Sequence, residues 1–110
     1  MSQLDLFRLD GRVALVPGGG GAIGSAMAAA LASAGAHVAI VDQTAERAEA
    51  AAGPIRATGA LVLALGADVT NEVECERVVA ATVERFGRLD IIMNAVGGGA
   101  GKVLFPAELY

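Results

Sequence analysis

Two groups of residues in this chain have the types and spacing to do chemistry. The first is the run Gly18, Gly19, Gly20 and Gly21, with Gly24 close behind. Glycines permit backbone angles closed to other residues. They also remove the Cβ atoms that would keep a phosphate from a helix amino terminus, where exposed amides donate to its oxygens. Gly19, Gly21 and Gly24 satisfy the G-x-G-x-x-G dinucleotide pattern, placed where a short apolar strand runs into a turn that opens an alanine-rich helix. The second is Asp42, eighteen residues beyond Gly24 at the end of the next apolar run, close to the ~20 expected for the acid that binds the adenosine ribose hydroxyls. A carboxylate there repels a 2′-phosphate, and no Lys or Arg stands in the glycine turn or directly after Asp42, so NAD is expected over NADP. Arg47, one helical turn later, speaks the other way. Structural alternatives stay open: a turn whose glycines only bend the chain, and an aspartate that only complements a helix dipole.

These residues need alternating strands and helices to position them. Residues 13–16 are four apolar residues between charge and Pro17, the pattern of a strand buried on both faces. Residues 22–34 form a small-faced helix, with Gly35 as its C-cap glycine. A second strand, 37–41, starts at His37, expected as a solvated strand-edge residue, and ends at Asp42. Residues 44–52 are helical, and Gly53 and Pro54 are expected to kink or restart that helix, because an interior proline costs about 3 kcal/mol. A third strand at 60–67 precedes a helix at 71–86, expected to turn Val73, Val78, Val79, Val83 and Phe86 inward. A fourth strand lies at 89–93, and 96–101 is glycine-rich loop. The fold class is therefore α/β: an incomplete Rossmann-type parallel sheet with flanking helices and strand order 3-2-1-4.

Composition narrows the classes further. At 110 residues, 55% hydrophobic and 18% charged, the chain has material for one packed domain. The net charge of −4 and scattered basic residues argue against nucleic acid. Cys75 lies in a half-apolar helical stretch and is expected only to pack. The first twelve residues lack the apolar core of a secretory signal, and no apolar run approaches the ~20 residues that span a bilayer, so a cytoplasmic protein without membrane contact is expected.

Two more blocks complete a pattern: GADVT at 66–70 and GRLDIIMNAVG at 87–97. In order, the four blocks resemble the short-chain dehydrogenase/reductase family, with its T-G-x-x-x-G-x-G turn, a D-V segment after the third strand and an N-N-A-G segment after the fourth. The resemblance covers residues 8–98. It implies that Gly18 and Gly24 are the outer motif glycines, with Gly20, Gly21 and Ala22 in the turn between them, and that Ile23 lies against the cofactor. Asp42 becomes the ribose acid, Asp68 and Val69 the pair beside the adenine, and Asn94 with Ala95 the segment under the nicotinamide ribose. Asp68 as a turn cap and Asn94 as a clamp between strand ends are the structural alternatives. The chain departs from the family at Pro17 (threonine in the family), Ala22 (glycine), Met93 (asparagine) and Val96 (inserted before Gly97). Pro17 and Gly53-Pro54 are the departures expected to weaken stability or cofactor affinity.

The family's reaction uses a tyrosine, a lysine four residues later and an upstream serine, which exchange a proton with a carbonyl or alcohol. None is assignable here: Tyr110 is the sole tyrosine, Lys102 precedes it, and Ser2, Ser25 and Ser33 lie outside any plausible site. No catalytic and no metal-binding residue is expected; Ser25 is at most a phosphate contact. The expectation is thus the NAD-binding part of an oxidoreductase, truncated before its catalytic half and inactive alone. The complete enzyme is expected to be a homo-oligomer that moves hydride between nicotinamide and a small polar alcohol or carbonyl substrate. The alternatives are a stand-alone NAD-binding or regulatory module without catalysis, and a remnant that no longer binds.

Overall fold

The computed structural model describes residues 3–97. A short 3-10 turn, Gln3–Phe7, leads into β1 (Val13–Pro17), α1 (Ala22–Ser33), β2 (His37–Asp42), α2 (Ala45–Arg56), β3 (Val62–Gly66), α3 (Glu72–Phe86) and β4 (Ile91–Ile92). All four strands are parallel, in the order β3-β2-β1-β4. Alternation of side chains across the sheet separates two cores. Ala14, Val16, Val38 and Ile40 face α1 and α2, where they meet Ala28, Leu31, Ala48, Ala52 and Ile55. Leu15, Ala39 and Val41 face α3, where they meet Val78. Because both faces of β1 and β2 are covered, their sequences read as continuous apolar runs.

Local chemistry fixes the helix ends. Past α1, Gly35 adopts φ +107°, and the Gly35 and Ala36 amides donate back to Ala32 and Leu31, which closes the helix in a Schellman turn. Gly87, at φ +84°, ends α3 in the same left-handed region. Two helices carry a side chain at their start: Thr44 Oγ1 accepts from the Arg47 amide in α2, and Asn71 Oδ1 from the Glu74 amide in α3. At α1 the N-cap is Gly21, and no side chain caps it.

Four expectations are corrected here. Gly53 and Pro54 do not restart a helix; both lie inside α2, which continues to Arg56. Gly53 has no Cβ for the proline ring to strike, so the tenth residue of the helix tolerates a proline near its exposed end. In α3 the inward stripe is Val78 and Thr82, whose hydroxyl donates to the Val78 carbonyl at 2.7 Å, while Val73, Val79 and Val83 are exposed. His37 is half-buried and stacks on Phe86 with ring centroids 5.4 Å apart, so it is no solvated edge residue. The fourth strand shrinks to Ile91–Ile92. Its shortening follows from Pro17: the Leu15 and Pro17 carbonyls accept from the Met93 and Ala95 amides, but proline has no N–H to return to Met93. The strand start is held by Asp90, which accepts from the Val13 amide at 2.9 Å and pairs with Arg88 at 2.7 Å.

No helix among the described residues is long and apolar enough to cross a membrane. Expectations that fall on Ser2, on residues 98–101, on Lys102 and on Tyr110 lie outside the described residues.

Candidate functional site

The carboxyl ends of all four strands open into one cleft of about 370 Å³. It sits where the connections diverge, with α1 and α2 behind one sheet face and α3 behind the other, the place where open α/β sheets take ligands. Its floor is the glycine turn after β1. Gly18 adopts φ +76°, and a Cβ there would lie 2.6 Å from the Ala95 carbonyl carbon, so the turn can pass beneath the segment after β4 only as glycine. A Cβ on Gly24 would run into the Gly18 carbonyl, which sets how closely α1 starts against the turn. At Gly21, by contrast, the nearest atom to such a Cβ is 3.7 Å away, because this glycine faces the cleft.

The first amide used inside α1 is that of Ser25, which donates to the Gly21 carbonyl at 2.8 Å. By helix geometry the Ala22, Ile23 and Gly24 amides have no partner within the helix, and no cap side chain supplies one. Uncapped amides and the positive end of the helix dipole make this turn a seat for an anion. Ser25 turns back on its own helix, its hydroxyl donating to the Ala22 carbonyl.

Across the cleft stands Asp42, only 8% exposed. Its Oδ2 accepts from the Gly20 amide at 2.9 Å; its Oδ1 accepts from the Gln43 amide at 2.8 Å and from Arg47 Nε at 2.9 Å. Burial pushes this carboxyl up, but the Gln43 amide, the Arg47 guanidinium and the Gly20 amide together outweigh it and hold Asp42 below the usual carboxylate range. The third wall is the loop after β3. Asp68 accepts from the hydroxyl and the amide of Thr70, which hold its carboxyl low as well. From α3, Arg77 donates to the Gly66 carbonyl at 2.7 Å and pairs with Glu74, and Cys75 Sγ donates to the Val69 carbonyl. The first turns of α3 thereby brace the loop.

Of the residues expected to contact a cofactor, Gly18, Gly21, Asp42, Asp68, Val69 and Ala95 line this cleft. Gly20 stands behind it, its amide committed to Asp42, and Gly24 is buried under the turn. Ala22 and Ile23 are exposed on the first turn of α1, Ile23 at 74%. Asn94 is exposed beside the cleft, its Oδ1 accepting from the Val96 amide at 3.0 Å. Gln43, Arg47, Thr70 and Val96 also line it, and of these only Arg47 carried a signal in the sequence, as the nearest cation after Asp42.

The arrangement presents hydrogen-bond donors and acceptors to a ligand. Its carboxyls are held ionised, and among the described residues no cluster of His, Cys, Asp or Glu could hold a metal. A dinucleotide fits the donor set: amides for the phosphates, a buried carboxylate for ribose hydroxyls and an apolar strip at Val69 and Ala95 for rings.

The family model for short chain dehydrogenase matches residues 12–108. This chain is a short-chain dehydrogenase by family. A protein of Mycobacterium tuberculosis (strain CDC 1551 / Oshkosh), named an uncharacterized oxidoreductase, is 42% identical to it over 96% of this chain and 40% of the relative. The D-threitol dehydrogenase of Mycolicibacterium smegmatis is 41% identical over 93% of this chain and 38% of the relative. Among solved structures, a 7α-hydroxysteroid dehydrogenase complexed with NADH and 7-oxo glycochenodeoxycholic acid superposes with a TM-score of 0.85 at 34% identity, over 90% of this chain and 39% of that one. The chain thus spans about two fifths of the length of the short-chain dehydrogenases it matches.

Proposed function

We propose that these residues form the NAD-binding part of a short-chain dehydrogenase/reductase, residues 1–110 being one part of its dinucleotide domain. The observation that carries this reading is Asp42, a buried ionised carboxylate aimed by the Gly20 amide at a cleft whose floor is an uncapped helix start. When bound, nicotinamide takes or gives the hydride. The chain's own residues bind and orient: the Ala22, Ile23 and Gly24 amides would hold the phosphates, and Ile23 would cover them. Asp42 accepts from the adenosine ribose, Asp68 and Val69 flank the adenine, and Asn94 and Ala95 support the nicotinamide ribose.

Support for NAD over NADP is the carboxylate itself, which repels a 2′-phosphate, together with the NADH held by the similar steroid dehydrogenase. Support for a small polar alcohol or carbonyl substrate is the D-threitol dehydrogenase, at 41% identity. The proton-transferring tyrosine and lysine belong to a part of the enzyme beyond these residues, so the 110 residues alone are inactive.

The test is the intact mass of the protein from its natural source, joined to a titration of that protein with NADH followed by nicotinamide fluorescence. A mass well above 11.0 kDa, saturable binding and a downstream Tyr-x-x-x-Lys support the reading. Binding at 11.0 kDa would replace it with a stand-alone NAD-binding module, and no binding with a remnant.

A further inference from the structure

The Asp42 carboxylate offers four lone-pair positions, two on each oxygen. Three are taken, by the Gly20 amide on Oδ2 and by the Gln43 amide and Arg47 Nε on Oδ1. One position remains for an adenosine ribose that presents two hydroxyls. Two of the three donors are backbone amides fixed by the glycine turn and by the turn after β2. Only the third is on a side chain that can swing.

We propose that Arg47 is a specificity-determining residue of this pocket: held on Asp42, it competes with the ribose hydroxyls of NAD, and released, it binds the 2′-phosphate of NADP, so that the site accepts both cofactors. This rests on the pocket being the dinucleotide site. The Arg47 side chain is 58% exposed, so its guanidinium is hydrated when it leaves Asp42, whose buried carboxylate keeps the Gly20 and Gln43 amides. The guanidinium cannot go far, because Arg47 lies in the first turn of α2, its amide held by Thr44 Oγ1 at 3.2 Å. Nε alone is engaged with Asp42; among the described residues neither Nη of Arg47 has a hydrogen-bond partner. The planar fork can therefore take phosphate oxygens bidentately. No second cation lines the cleft among the described residues. One residue thus weakens the rejection of NADP that Asp42 alone would enforce, and lowers the affinity for NAD by occupying an acceptor.

The experiment titrates the intact protein and its Arg47→Ala and Arg47→Lys variants with NADH and, separately, NADPH. Thermal denaturation checks that each variant is folded. Arg47→Ala is expected to weaken NADPH about tenfold, the loss of one charge-assisted contact, while NADH binds equally or more tightly. Arg47→Lys should recover part of the NADPH affinity, since it restores the charge without the fork. Equal losses for both cofactors would mark Arg47 as merely structural and overturn the proposal, as would wild-type protein that binds NADH but no NADPH. Wild-type protein that binds neither overturns the reading of the pocket and this inference with it.

Discussion

Gly20 and Asp42 hold each other in place: the amide of one fills an oxygen of the other, and a Cβ on Gly20 would collide with the same carboxylate. The glycines of this turn therefore do different work, and substitution separates them. Gly24→Ala drives a methyl into the Gly18 carbonyl, a backbone atom that cannot step aside, and is expected to destabilise the fold by about 1–3 kcal/mol. Gly21→Ala meets nothing closer than ordinary contact, so stability should hold within about 0.5 kcal/mol while dinucleotide affinity falls, because the methyl enters the cleft. Urea denaturation and NADH titration of the two variants check the contrast. Asp42 gives a pH prediction. Its folded carboxyl titrates below the unfolded value of about 3.9, so its stabilisation is present above that pH and is lost as pH falls through the folded value. Asp42→Asn should be less stable than wild type by about 2 kcal/mol at neutral pH, and the gap should close below about pH 4. Denaturation midpoints of both proteins across that range measure it.

At the scale of elements, the sequence was most legible where apolar runs are unbroken. The strands at His37–Asp42 and Val13–Pro17 follow directly from four or five apolar residues buried on both faces. The helix ends at Gly35 and Gly87 follow as directly from glycine at φ > 0. The misreadings have local causes. Val78 and Val79 are adjacent, as are Thr82 and Val83, so hydropathy alone does not choose which pair faces the sheet. The choice falls on Val78 and Thr82 because Glu74 and Arg77 on one flank of α3 reach the loop after β3, which rotates the other flank, Val79 and Val83, outward. Proline in α2 is tolerated because the residue before it is glycine. Pro54→Ala is therefore expected to stabilise by about 1–2 kcal/mol, the helix gain less the entropy that proline removes from the unfolded chain. Gly53→Ala should gain more in that background than alone, since only beside Pro54 does its new Cβ meet the ring. A double-mutant cycle by thermal denaturation tests both statements.

At the scale of the molecule, α1 and α2 fill one sheet face, whereas α3 covers the other only in part. Ile92 shares the sheet face of Leu15 by register and stays 60% exposed, with Val79 and Val83 exposed on α3. An apolar edge of this kind pairs with whatever is offered to it. The 110 residues produced alone are therefore expected to self-associate with rising concentration, and Ile92→Lys to suppress it, as read by light scattering after size exclusion. The sequence by itself determined the strand and helix order, the parallel topology and the family, because these follow from periodicity, glycine conformation and motif spacing along the chain. It also placed Asp42 beside the glycine turn. Only the tertiary structure decided that the Gly20 amide serves Asp42, that Arg47 occupies the same carboxylate, and that α3 braces the Asp68–Thr70 loop. Hydrogen bonds between side chains and backbone of different elements are set by how those elements pack, and a linear pattern carries no record of their distance.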